Sequence, residues 1–210
     1  MSVLDKLACR QGRRDDVLNQ DLARDLAARR DLKAIREIAE NLRNTDKNIR
    51  SDCIKVLYEI GYIDATLIAE HGETFIELLR SKDNRMVWGA MIALSTIAGL
   101  QAKELYRHVA KIKKTMATGS VITMDAGVKT LAAIAAGNGR RSQAIVSYLF
   151  DHLATCRPKE VAQHAESTVV AVNRVNRKDF VKVLQKRLED LTPAQALRIK
   201  RVIKQVEQMG

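Results

Sequence analysis

The chain is short of the residues that interrupt or staple a fold. Two prolines in 210 residues leave long stretches free to run as helix. Three cysteines, Cys9, Cys53 and Cys156, are odd in number and include no CxxC pair, which argues against a disulfide framework and for reduced thiols. Eight aromatic residues, with Trp88 the sole tryptophan, leave few rings for stacking on bases. No apolar run reaches the roughly 18 residues that a membrane span needs. The longest candidate, Met86 to Leu100, contains Ser95 and Thr96 and suits a buried helix. The opening MSVLDKLACRQGRRDD carries acidic residues and no sustained apolar stretch, so a cytoplasmic location without a secretory signal is expected. Phosphate-binding glycine loops, a nucleophile elbow and HExxH are all missing. These absences point away from an enzyme, a cofactor, a membrane and a small-molecule substrate.

What the chain has is a repeat of 37 residues that recurs in register. Leu57, Leu94 and Leu131 keep that step, as do Ile60, Ile97 and Ile134, and the small residues Cys53, Ala90 and Gly127. Ile38, Phe75, Ile112 and Leu149 form a second set, followed by Leu42, Leu79, Met116 and Leu153. A later copy arrives one residue late as Val161, Ala165, Val169 and Val172. Such a period implies units that bury their apolar faces only against neighbours, and hence an all-α, right-handed α-solenoid of about five helical hairpins.

Each unit reads as two helices, A and B. Leu32, Ile35, Ile38 and Leu42 fall at helical spacing, Asn44-Thr45-Asp46 breaks it, and Ile49, Cys53, Leu57 and Ile60 resume it before Gly61 as a C′ residue. The second unit turns at Ser81-Lys82-Asp83, and its first helix bends near His71-Gly72. The third A helix runs from Leu105 to Met116, and Gly137-Asn138-Gly139 ends its partner. The fourth pair covers 141–155 and 158–173 with Pro158 at the first helical position. Thr192-Pro193-Ala194-Gln195 is a capping box that opens the final helix. One domain over 1–210 is expected, with a helical cap at 1–30 broken at Gln11-Gly12, repeats over 31–173, and a basic helical pair over 174–210.

This layout resembles the HEAT-repeat family. The resemblance rests on the turn aspartates Asp46 and Asp83, each followed by an apolar, small, Leu, Ile series: Ile49, Cys53, Leu57, Ile60 and Met86, Ala90, Leu94, Ile97. The chain is also similar to a group of microbial HEAT proteins with no assigned activity. It departs from the family in its shorter period, in Ser120 at the third turn and in keeping the early Val-Arg pair only as Ile49-Arg50. The resemblance implies that B helices line a concave face. The register then stacks Ser51, Trp88, Asp125 and Gln163 there, beside Asp52, Gly89, Ala126 and His164, and beside Lys55, Ile92, Lys129 and Ser167. Some HEAT-like solenoids are alkylpurine DNA glycosylases that use an aspartate and several tryptophans. Trp88 and Asp125 are the register-equivalent pair, but the further tryptophans are missing.

Charge separates the two ends. Residues 1–100 carry 16 cations and 16 acids, whereas residues 101–210 carry 20 and 9, so the net +11 lies in the second half. That half is expected to meet something anionic. A non-catalytic scaffold for an acidic protein partner is the leading expectation, with nucleic acid as the alternative. Lys55, Trp88, Asp125, Lys129, His164, Arg198 and Arg201 are the candidate binding residues. Lys103, Arg107, Lys111 and Lys114 form a cationic stripe that reads as a solvated face. His152 and Cys156 share a helix face at i, i+4, with His164 as a third donor and no fourth, so no metal is expected.

Overall fold

A computed structural model describes residues 2–13 and 15–209, with the side chains of all of these except Arg140 and Arg141. Among the described residues there are twelve α-helices, several short 3-10 turns and no strand. The helices are α1 (Val17–Arg29), α2 (Leu32–Glu40), α3 (Lys47–Ile63), α4 (Gly72–Leu78), α5 (Asn84–Ile97) and α6 (Ala102–Tyr106). They continue as α7 (Val109–Thr118), α8 (Val121–Gly137), α9 (Gln143–Thr155), α10 (Pro158–Thr168), α11 (Arg177–Arg187) and α12 (Pro193–Glu207). Two compact units divide the chain: residues 1–101 with 110–127, and residues 102–109 with 128–210.

In the first unit, the hairpins α2–α3 and α4–α5 pack internally, and α3 lies along α5 much as α1 lies along α3. The turn aspartates start the B helices by capping them. Asp46 accepts from the Asn48 amide at 2.8 Å, and Asp83 accepts from the Arg85 amide at 3.0 Å, so donors that helix geometry leaves unpaired are satisfied. Ser120 takes the same role for α8, accepting from the Thr123 amide at 3.3 Å. The repeated apolar positions are the core. Leu57, Leu94, Ile60, Ile97, Ile38, Phe75 and Ile112 are all fully buried. The small column is small because helix A passes close by: a Cβ on Gly127 would sit 2.4 Å from Met116 Cγ. Arginine–carboxylate pairs also tie one repeat to the next on the surface, at Arg30–Asp64 (2.6 Å), Arg36–Glu70 (2.8 Å), Arg43–Glu77 and Arg50–Asp83 (3.7 Å).

The second unit repeats this logic. Here α9 packs on α11, and α10 packs on α12. Leu131, Ile134, Leu149, Leu153, Val161, Ala165, Phe180, Leu184, Ile199 and Val206 are fully buried. Pro158 and Pro193 sit at helix starts, and the Thr192–Gln195 capping box is formed in both directions.

Several local expectations are corrected. Gly61 lies inside α3 and not past its end, because α5 passes so close that a Cβ there would lie 2.3 Å from Thr96 Oγ1. The third A helix is broken into α6 and α7 around Arg107-His108. The α10 helix ends at Thr168, and a 3-10 turn over Val169–Ala171 completes the segment. The N-terminal segment opens with two 3-10 turns, the second ended by Gly12 at φ 67°, and only then forms α1. The bend near His71-Gly72 is present, since two 3-10 turns precede α4.

Candidate binding surface

On the B-helix side of the first unit, cations and rings alternate across α3 and α5. Arg85 donates from Nε to Ser51 Oγ at 3.0 Å and lays its guanidinium 4.2 Å from the centroid of the Trp88 ring. Trp88 lies 6.2 Å from Tyr58, and Tyr58 meets Tyr62 edge-on at 6.2 Å. Tyr62 is 58% exposed, whereas Trp88 is half-buried under its own chain's arginine. Tyr58, Tyr62 and Arg85 were not singled out from sequence. Their signal was the i, i+4 tyrosine pair and an arginine three residues before the tryptophan.

Lys55 does not present a free cation. Its side chain is buried, with Nζ 2.8 Å from Glu59 and 3.1 Å from Asp16, and 5.1 Å from the Tyr58 centroid. Burial opposes its charge, but hydrogen bonding to Glu59 and the other acceptors wins and raises its pKa. Lys55, a candidate binding residue in the sequence, is thus engaged with the carboxylates of Glu59 and Asp16. The seam position Asp52 is likewise occupied, accepting from the Cys9 amide at 2.8 Å. Burial and the nearby Asp52 push the Cys9 thiol up to about 12, so it is not a reactive thiolate.

A groove of about 530 Å³ lies at the turn end of this unit. Leu79, Val87 and Ala110 contribute apolar surface; Arg80, Lys82, Lys111 and Lys114 supply charge, and none of the described residues lining it is acidic. Lys111 reaches it while donating to the Ile76 carbonyl at 3.3 Å. Sequence reasoning missed this groove because Arg80 and Lys82 belong to a turn and the two other lysines to the following A helix.

In the second unit, Lys129 is exposed and lines a groove of about 440 Å³ with Ala133, Gln163, Glu166, Ser167 and Val170. Arg198 clamps Glu166 in a bidentate pair, Nε at 2.9 Å and Nη2 at 2.7 Å, so an acid stands in the groove next to the cations. Arg201 is exposed on the same helix, α12. Asp125, on α8, is half-buried. His164 is fully buried, and its Nδ1 lies 2.9 Å from His152 Nε2. Its register partners Gly89 and Ala126 are buried too, and Gly89 abuts Ile54 of α3 in a helix-packing seam.

No protein-family model and no curated protein matches the chain. Solved structures do. One engineered protein is 20% identical, covers 99% of this chain and 97% of its own, and superposes with a TM-score of 0.67. A designed armadillo repeat protein in complex with the peptide (KR)4 is 15% identical, with 88% and 86% covered and a TM-score of 0.63. The fold is an armadillo/HEAT-like α-solenoid. Another solenoid of this kind, computationally designed for modular peptide recognition, matches at 14% identity over 96% and 97%, with a TM-score of 0.64. At these identities the likeness speaks for the solenoid scaffold alone. No helix among the described residues of the solenoid is long and apolar enough to cross a membrane.

Proposed function

We propose that this protein is a non-catalytic binding scaffold whose partner is a protein segment rich in acidic and apolar residues. The reading rests on the first-unit groove, where four cations surround an apolar floor with no acid among the lining residues. Such a site suits carboxylates interspersed with aliphatic side chains, because the cations steer the segment and the floor buries its apolar part. One designed armadillo repeat protein of this fold is in complex with the peptide (KR)4, and another is designed for modular peptide recognition, which supports a peptide partner, although (KR)4 is of opposite charge to the segment proposed here. Phosphate tracking is less well supported, since Glu166 stands beside Lys129 and Arg198 in the second-unit groove. The half-buried Trp88, capped by Arg85, is a poor platform for a flipped base and does not support a glycosylase.

The test is affinity capture from cell extract with and without nuclease, followed by fluorescence anisotropy with an acidic–apolar peptide and a single-stranded oligonucleotide. Nuclease-resistant capture, and peptide binding that Lys111→Gln plus Lys114→Gln weakens about tenfold or more, is the expected result. Capture lost on nuclease treatment, with the oligonucleotide bound more tightly than the peptide, would transfer the assignment to nucleic acid.

A further inference from the structure

Three metal-competent donors converge where α9 turns into α10. His152 and Cys156 lie one helical turn apart at the end of α9, and His164 projects from α10. The two histidine nitrogens and the cysteine sulfur all lie within 4.8 Å of one another. His152 Nε2 and His164 Nδ1 are already 2.9 Å apart, and His164 is fully buried. A tetrahedral zinc with ordinary bond lengths holds its nitrogen and sulfur ligands roughly 3.3–3.6 Å apart. The two imidazoles therefore need to separate by only a few tenths of an ångström, and the sulfur needs to close by about one.

We propose that the α9–α10 turn holds a zinc ion on His152, Cys156 and His164. Two imidazoles and one thiolate form a borderline-to-soft set that favours zinc over magnesium or calcium, which require oxygen shells. The fourth position falls to water or to Glu160. That carboxylate sits one turn before His164 and pairs with Arg157. Neighbouring groups support the site as a second layer. Arg187, itself buried, donates to the carbonyls of Leu153 and Cys156, the latter at 2.9 Å, and approaches Cys156 Sγ at 3.9 Å. Arg187 is paired with Asp190 at 2.8 Å, which fixes the guanidinium where it can donate to a metal-bound sulfur. Thr168 Oγ1 donates to the His164 carbonyl at 2.8 Å and steadies the α10 ligand. On binding, zinc replaces the thiol proton, and the proton shared by the imidazoles moves to the outer nitrogen of the ring that carried it. One proton leaves per ion.

The site is tested on the full chain, reduced and freed of metal with chelator, by titration with Co²⁺ and then Zn²⁺. The expected result is one Co²⁺ per chain, with a thiolate-to-cobalt charge-transfer band and the intense visible bands of tetrahedral coordination, all removed by one equivalent of Zn²⁺. Cys156→Ser should abolish the charge-transfer band, and His152→Gln should weaken binding about 100-fold or more. Cys9→Ser with Cys53→Ala should leave the band intact, since Ala90 already fills the equivalent position in the next repeat. Mass-spectrometric alkylation of the unmutated protein gives a readout free of folding defects: Zn²⁺ should slow labelling of Cys156 and leave Cys9 unaffected. No charge-transfer band, a band that survives Cys156→Ser, or unprotected Cys156 at saturating Zn²⁺ would each overturn the site.

Discussion

Leu94 shows how much a single position carries at the residue scale. It is fully buried at the centre of the repeat register, and Leu94→Ala should cost about 2–5 kcal/mol in denaturant unfolding, the range for emptying a packed site. A loss below about 1 kcal/mol would contradict its place in the core. His71 supplies a pH signature. Its Nε2 is buried without a hydrogen bond, and Glu70 lies 3.7 Å away. Burial lowers its pKa from the ordinary 6.5, only partly countered by Glu70. The unfolded chain then binds the proton at a higher pH than the folded one, so stability is full above 6.5 and falls as pH drops below it. Glu70, Glu160 and Asp190, each held below the usual carboxylate range by an arginine, add their own loss only at lower pH. The urea midpoint should therefore fall between pH 7.5 and 5.5, and His71→Gln should flatten that slope. Residues in the register were legible from sequence because burial repeats with it. Lys55 and His164 were not, because a position off the Leu/Ile stripe can face either solvent or the neighbouring B helix, and periodicity does not distinguish the two.

Among the elements, helix starts were written plainly in sequence and helix interiors less so. Asp46 and Asp83 cap as their position after a turn predicts, and Asp46→Ala or Asp83→Ala should each cost about 1 kcal/mol, measured by chemical denaturation. An effect within about 0.2 kcal/mol of zero would mean that the turn, and not the cap, fixes the helix start. Gly61 was misread as a terminator because glycine ends helices so often. In this structure it serves close helix approach, a property of the partner helix that its own segment does not encode. The break between α6 and α7 has no comparable signal in Arg107-His108.

Across the whole molecule, the solenoid was readable because each repeat carries its own copy of the core pattern. The basic groove was not readable, since residues from a turn and from the next hairpin make it together. Binding of an acidic–apolar peptide should weaken as salt rises, in proportion to the exposed cations engaged. Lys129→Gln with Arg201→Gln should leave that affinity unchanged, because neither residue lines the first-unit groove. Titration calorimetry at two salt concentrations checks both expectations.

The surface pairs that tie repeats together also have a direction. In the first unit the arginine comes from the earlier repeat and the carboxylate from the later one, at Arg30–Asp64, Arg36–Glu70, Arg43–Glu77 and Arg50–Asp83. In the second unit the order reverses: Arg198 reaches back to Glu166, and Arg187 to the carbonyls of Leu153 and Cys156. A first-unit graft that keeps these charges matched must therefore carry the segment from Arg30 to Asp83 whole, because the arginines that meet Asp64, Glu70 and Glu77 all precede residue 47.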